Sequence, residues 1–125
     1  MRGSQPGRPP VDPVVHLELQ TANPPRACAF YTRLFGWRAE TIRVGSSAYL
    51  GLGLAEVLQG GVVEREDAEA AWLPYVEVAD VAGATARGRA LGAAVVLEPR
   101  EGPAGWRSIL AVPDGAQIAL WQPKV

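Results

Sequence analysis

The chain contains one histidine, His16, in a segment where polar and apolar residues alternate. Glu18 follows two residues later, and residues two apart in a β-strand point to the same face, about 7 Å from each other. An imidazole and a carboxylate placed in this way could transfer protons or orient a polar ligand, and the carboxylate would favour the charged imidazolium. The alternative is a structural histidine whose ring is satisfied by a neighbouring carbonyl or carboxylate.

Glu77 is a third titratable residue that strand parity indicates as a candidate site residue. It shares parity with Leu73 and Tyr75 and stands near the end of an apolar segment. With Glu18 it could bind a cationic amine or do acid–base work, or it could be an ordinary solvated carboxylate. His16, Glu18 and Glu77 could also form an irregular metal site, although that set lacks a fourth ligand.

Other common chemistries find little support in the sequence. Cys28 is the single cysteine, which excludes an intrachain disulfide and favours an inert buried thiol in the first predicted helix. The glycine pairs near 51–53 and 60–61 lack the strand-to-helix context of a phosphate-binding loop. We therefore predict no nucleotide site.

Length and charge restrict the class of protein. The 125 residues suffice for one domain, and the net charge of −1 gives no general attraction to nucleic acid or an anionic membrane. Residues 1–13 are rich in Gly, Pro and Arg and predict a flexible leader. With no signal peptide or membrane span in the pattern, we expect a cytoplasmic protein.

The hydrophobic pattern predicts a strand, a helix and three further strands in the first half of the chain. The helix, 24–35, begins after Asn23 and ends before Gly36, and we expect Phe30, Tyr31 and Leu34 to pack against the sheet. The strands are predicted at 14–20, 37–43, 47–52 and 56–64.

The same order of elements then occurs a second time. A helix at 81–91 is predicted to begin after the cap Asp80, with Val81, Ala84 and Leu91 facing inward. Strands are predicted at 73–78, 93–98, 106–112 and 116–122. The pattern predicts an internal duplication, with a first unit at 14–64, a charged linker at 65–71 and a second unit at 72–123.

The paired βαβββ units resemble the vicinal oxygen chelate superfamily, which includes glyoxalases, bleomycin-resistance proteins and extradiol dioxygenases. The resemblance covers about 14–123 and rests on three stretches in order: Ala29-Phe30-Tyr31-Thr32-Arg33-Leu34-Phe35-Gly36-Trp37, Trp72-Leu73-Pro74-Tyr75-Val76-Glu77-Val78, and Pro113-Asp114-Gly115-Ala116-Gln117-Ile118-Ala119-Leu120-Trp121-Gln122-Pro123. It implies an α+β fold in which two βαβββ units form a cupped mixed sheet with helices on the convex side.

Metal-dependent members of this superfamily hold an ion with four strand side chains, usually His and Glu. The resemblance places His16 on the first of these positions, the neighbourhood of Gly51 on another, and Leu73 and Ala119 on the remaining two. A leucine and an alanine cannot replace an imidazole or a carboxylate. We therefore expect neither a family-type metal site nor any other cofactor.

The same matched positions indicate which residues would surround a ligand. Tyr49 has the parity of Gly51, Tyr75 that of Leu73, and Trp121 that of Ala119. Aromatic rings with polar tips suit a planar organic ligand, although ordinary core packing is the alternative. The predicted ligand-binding set is His16, Glu18, Tyr49, Leu73, Tyr75, Glu77, Ala119 and Trp121, with residues 102–105 as a flexible lip.

The function expected from this reasoning is metal-independent binding of a small organic molecule, aromatic or cationic, of the glyoxalase and bleomycin-resistance type. One alternative is a metal-independent acid–base enzyme, such as a lyase, isomerase or ring-opening enzyme, that uses His16 with Glu18 or Glu77. The other is a partner-binding subunit with a vestigial cup. Short members of the superfamily commonly pair, so we expect a homodimer.

Overall fold

The computed structural model describes residues 11–56, 58–67 and 69–125. Most of the predicted leader, together with residue 57 of the predicted fourth strand and residue 68 of the predicted linker, lies outside these ranges. None of the helices in the described ranges is long and apolar enough to cross a membrane.

Two βαβββ units follow one another along the chain, as predicted. The first consists of β1 (Val14–Thr21), α1 (Pro24–Phe35), β2 (Arg38–Val44), β3 (Ser47–Gly53) and β4 (Gln59–Glu64). The second consists of β5 (Ala71–Glu77), α2 (Val81–Ala90), β6 (Ala94–Glu101), β7 (Gly105–Ala111) and β8 (Gln117–Pro123). The boundaries agree with the prediction to within a few residues.

All eight strands form one open, mixed sheet in the order β2-β3-β4-β1-β5-β8-β7-β6. Each unit contains one parallel pair, β1 with β4 and β5 with β8, and its other pairs are antiparallel. The units meet where β1 pairs antiparallel with β5. The fold is thus the predicted α+β architecture, a cupped mixed sheet with its helices on the convex side.

The first helix begins and ends where its sequence requires. The side chain of Asn23 accepts a hydrogen bond from the Arg26 N–H, and Pro24 occupies the first turn, where a missing N–H costs nothing. Gly36 ends the helix with φ 74°, a left-handed conformation that glycine adopts without strain.

The residues that α1 turns toward the sheet differ from the prediction. Ala27, Cys28 and Tyr31 pack with the β-strand residues Leu19, Leu52 and Val62. Phe30 and Leu34 are 59% and 58% exposed, so their predicted place in the core is wrong. The apolar residues of this helix span a wide arc, and the sheet contacts only its Ala27, Cys28 and Tyr31 side.

The second helix packs through Val81 and Ala84 against Val78, Leu110 and Leu120. Leu91, predicted to face inward, is 82% exposed because the helix ends at Ala90 and Leu91 is only its C-cap residue. Asp80 stands at the N-cap but makes no side-chain capping bond. The Val81 N–H donates instead to the Gln122 side chain at 2.9 Å.

Candidate functional site

Strand register assembles the predicted residues on the concave face in two rows that run across the sheet. In the first row His16 of β1 lies beside Tyr75 of β5, which lies beside Ala119 of β8. In the second row Glu77 of β5 pairs with Trp121 of β8. Cross-strand neighbours on one face approach to about 5 Å, so these side chains share one surface.

A cavity of about 460 Å³ opens on this face, and we call it the cup cavity. Its volume falls within the range of small-molecule sites, and its walls are mainly apolar with a few polar groups. It is lined by Val15, His16, Glu18, Tyr49, Gly61, Val62, Val63, Tyr75, Glu77, Ala104 and Trp121. The structure therefore brings His16, Glu18, Tyr49, Tyr75, Glu77 and Trp121 together, as the sequence analysis expected.

The other two residues of the predicted ligand-binding set occupy a deeper layer. Leu73 and Ala119 are 2% and 0% exposed and pack with Tyr75, Ile109 and Trp121. They support the floor of the cup cavity and do not line its wall. Their place in the predicted set came from the family's metal positions, and ligand contact by these two residues stays a prediction.

Glu18 is the centre of a buried hydrogen-bond network. The Tyr75 hydroxyl donates to its Oε1 at 2.8 Å, and the Gln20 amide donates to its Oε2 at 3.0 Å. Arg107 donates to the Tyr75 oxygen at 2.8 Å. Both carboxylate oxygens thus have a partner, which is what a carboxylate at 8% exposure requires.

Tyr75 keeps its proton to a higher pH than an ordinary tyrosine does. Burial and the Glu18 carboxylate raise the pKa of Tyr75 to about 12, although the Arg107 guanidinium acts in the opposite direction. A phenol in this state is a permanent donor to Glu18 near neutral pH. Glu18 is consequently held in place with both oxygens engaged, and an acid–base role for it stays a prediction.

His16 sits at the wall of the cup cavity, with its ring edge-to-face to Tyr75 at 5.2 Å between ring centres. Burial lowers the pKa of His16 below its usual 6.5, and the attraction of Glu18 only partly offsets this. The Glu18 carboxylate does favour the charged imidazolium, as expected, but desolvation is the larger effect and sets the net direction of the shift. At neutral pH His16 is a neutral imidazole.

Glycine at position 61 makes room for that imidazole. A methyl group built there would lie 3.1 Å from Nε2 of His16, closer than ordinary van der Waals contact. The sequence analysis considered this glycine only as a candidate phosphate loop and missed its steric role. Its signal was the pair of adjacent glycines, Gly60 and Gly61, inside a strand, which marks a close approach by another group.

The side chains present do not fit the metal that related folds use. Within the described ranges no group of three or more His, Cys, Asp or Glu residues is arranged to hold an ion. Two of the four positions that the resemblance matches to the family's ligands carry the buried hydrocarbon side chains of Leu73 and Ala119. Hydrocarbon offers no lone pair to a cation, so no step of a mechanism can be assigned to a family-type metal here.

Sequence reasoning also missed Arg107 and a second cavity. Arg107 of β7 pairs in register with Trp121 and faces the concave side, a placement that strand alternation around Trp106 and Ser108 already implied. The second cavity has a volume of about 350 Å³, and we call it the side cavity. Tyr49, Ala104 and Trp121 line both cavities, so the predicted lip at 102–105 lies along their boundary.

Comparison with known proteins supports the fold. A model of the glyoxalase-like domain matches residues 16–121. No curated protein matches the chain. Methylmalonyl-CoA epimerase from Mycobacterium tuberculosis is 16% identical, with a TM-score of 0.63 over 90% of this chain and 88% of that one.

Two further solved structures have similar folds. A variant of Streptomyces coelicolor methylmalonyl-CoA epimerase in complex with 2-nitronate-propionyl-CoA is 19% identical, with a TM-score of 0.61 over 90% of this chain and 97% of that one. A variant of 4-hydroxymandelate synthase from Streptomyces coelicolor is 14% identical, with a TM-score of 0.64 over 91% of this chain and 39% of that one. At such identities the likeness concerns the fold alone.

Proposed function

For a chain that belongs to the glyoxalase-like domain family of the vicinal oxygen chelate superfamily, we propose metal-independent binding of a small organic ligand in the cup cavity. The observation that supports this most is the cavity itself, about 460 Å³, mainly apolar, with His16, Glu77 and Trp121 in its wall. The family fold supplies the cup, and Leu73 and Ala119 fill its floor where related proteins place metal ligands.

The chemistry of the wall favours a planar ligand that carries a hydrogen-bond donor. Tyr49 and Trp121 offer aromatic faces on which a flat ring can stack. Glu18 is already bonded to Tyr75 and Gln20, whereas Glu77 makes no side-chain hydrogen bond or ion pair with the described residues. Glu77 and the neutral His16 can therefore receive a hydroxyl or an amine of the ligand.

An acid–base enzyme is the second candidate function, and one observation favours it. His16 is neutral at physiological pH, lines the cup cavity and makes no side-chain hydrogen bond among the residues the structure describes. Such an imidazole can accept a proton from a bound molecule. Turnover that His16→Gln abolishes, with ligand binding retained, would support the enzyme over the binding protein.

The proposal includes a homodimer located in the cytoplasm. Strands β2 and β6 are the edges of the sheet, and Phe30, Leu34 and Phe35 leave apolar surface exposed on α1. Both features favour a homodimer, which light scattering would report as twice the 13.3 kDa chain mass. Cys28 is a buried free thiol, compatible with a reducing cytoplasm.

The test uses 2-naphthol, a flat ring with one donor, and its saturated analogue decahydro-2-naphthol as the matched control. The indole N–H signal of Trp121, assigned with Trp121→Phe, should shift on titration with 2-naphthol and remain still with the saturated compound. The signal of Trp106, which packs on the convex side, should not move with either. No shift of Trp121 with any planar probe, or equal shifts at both indoles, would contradict the proposal and favour a partner-binding subunit.

A further inference from the structure

Two arginines of the second unit stand side by side on the concave face. Arg100 of β6 and Arg107 of β7 are direct cross-strand partners in an antiparallel pair. Both line the side cavity, Arg107 half-buried and Arg100 exposed. Like charges placed directly opposite each other destabilise a sheet unless a negative group compensates them.

The nearest acidic residues along β6 are already engaged elsewhere. Glu98 pairs with Arg89 of α2 at 2.7 Å, and Glu101 pairs with Lys124 at 2.8 Å. Among the described residues neither Arg100 nor Arg107 forms an ion pair. No carboxylate of the described ranges lies within ion-pair distance of either arginine, and Glu101, which also lines the side cavity, is neutralised by Lys124.

Arg107 is also held in a fixed position. Its Nη1 donates to the Tyr75 hydroxyl at 2.8 Å, and that hydroxyl in turn donates to Glu18. A guanidinium has five N–H donors, so four remain for another acceptor. A planar fork held in place is suited to the two oxygens of a carboxylate or phosphate.

The part of the wall that the two cavities share connects this charge to the cup cavity. Tyr49, Ala104 and Trp121 line both spaces, and they are apolar or aromatic. A molecule that stacks on Trp121 in the cup cavity would thus extend past Ala104 toward the two arginines.

We propose that the ligand of the cup is an organic anion, whose carboxylate or phosphate is bound by Arg100 and Arg107 while its aromatic body lies against Trp121. This inference rests on the proposed function and names its ligand class. The donor group that Glu77 and His16 receive is then at the opposite end of the molecule, so the two ends of the site differ in charge.

The experiment compares three probes with one ring: 2-naphthoate, 2-naphthyl phosphate and the neutral 2-naphthamide. Calorimetry on the full chain should show that at least one anion binds tenfold or more tightly than the amide, about the weight of one charge-assisted hydrogen bond. The preferred anion distinguishes a carboxylate ligand from a phosphate ligand. Raising the salt concentration should reduce the advantage, because the arginines are partly exposed.

Three substitutions test the residues. Arg100→Gln, at an exposed position, should remove most of the affinity advantage of the anion over 2-naphthamide. Arg107→Lys keeps the positive charge but loses the planar pair of N–H donors. It should also weaken binding of the anion. Arg33→Gln, on α1 and outside any ion pair in the described ranges, removes the same charge from the convex side and should change nothing.

The outcomes separate this inference from the function on which it rests. Equal binding of the anions and the amide, with Trp121 still responding, would overturn the anion site and leave the cup ligand standing. If inorganic phosphate bound at the arginines but did not compete with 2-naphthoate or 2-naphthyl phosphate, a single ligand that spans both cavities would likewise be refuted. Failure of all three aromatic probes to shift the Trp121 indole signal would overturn the proposed function and this inference together.

Discussion

Replacing Tyr75 with phenylalanine removes one oxygen atom from the centre of the concave face. That oxygen donates to Glu18 at 2.8 Å and accepts from Arg107 at 2.8 Å. Glu18 is 8% exposed, so water cannot readily take the place of the lost donor. The ring itself, which packs with Leu73 and Ala119, is retained.

The destabilisation expected in Tyr75→Phe follows from the loss of a hydrogen bond to the buried Glu18 carboxylate. Such bonds contribute about 1.5–3 kcal/mol, and an unsatisfied buried carboxylate oxygen costs at the upper end of that range. We expect Tyr75→Phe to lower the free energy of unfolding by about 2–3 kcal/mol, measured by urea denaturation. For a domain of this length the corresponding decrease in Tm is about 4 °C per kcal/mol.

A second readout follows from the pKa of Tyr75, which burial and Glu18 raise to about 12. Since the folded state holds the phenolic proton more tightly than the unfolded state, the stabilisation is complete below the ordinary pKa of about 10 and is lost as the pH rises from there to about 12. Absorbance of tyrosinate should show a step near pH 12 that the variant lacks.

The matched control is Tyr49→Phe. Tyr49 is 41% exposed, and its hydroxyl makes no side-chain hydrogen bond with the described residues, so the free energy of unfolding should change by less than about 0.5 kcal/mol. A Tyr75→Phe variant as stable as Tyr49→Phe would refute the network as described. So would a tyrosinate titration that is the same with and without Tyr75.

Three other predictions concern the wall of the cup cavity and the binding of a metal ion. A proton NMR titration should give a His16 pKa below 6.5 in the folded protein. The free energy of unfolding should therefore decline as the pH falls below 6.5, and the decline should be smaller in His16→Gln. A pKa above 6.5 would contradict the dominance of burial. Gly61→Ala should displace the His16 ring and shift its NMR signals, whereas Gly53→Ala, at the end of β3 where an added methyl makes only an ordinary contact, should leave them unchanged. Elemental analysis of protein purified without chelator should find well below one metal ion per chain, and a full equivalent that His16→Ala removes would contradict metal-independent binding.

Local patterns were sufficient to predict most of the fold. Alternation placed His16 and Glu18 on one face, and Asn23 and Gly36 marked the two ends of α1, because caps and strand parity depend on neighbouring residues only. The inward side of α1 could not be predicted in this way. The apolar side of that helix is wider than the strip that the sheet covers, and only the position of the sheet decides that Cys28 is buried and Phe30 exposed.

The hydrogen-bond network around Glu18 also could not be predicted from local sequence patterns. Arg107 reaches a tyrosine 32 positions away in the sequence, through the pairing of β5, β8 and β7. Register between distant strands is set by the whole sheet, so no local pattern predicts this contact. The direction of the His16 pKa shift depends in the same way on burial depth, which alternation does not reveal.

The central claim is that an organic ligand binds in the cup against Trp121, and calorimetry on two tryptophan variants tests it most directly. With 2-naphthol as probe, Trp121→Ala should weaken binding by about 1–3 kcal/mol, the effect of removing an aromatic anchor, which is about 5- to 150-fold in Kd. Trp106→Ala should leave Kd within about twofold, since Trp106 packs against the convex cluster around Leu110. Unchanged affinity in Trp121→Ala, or the same loss in both variants, would contradict the account.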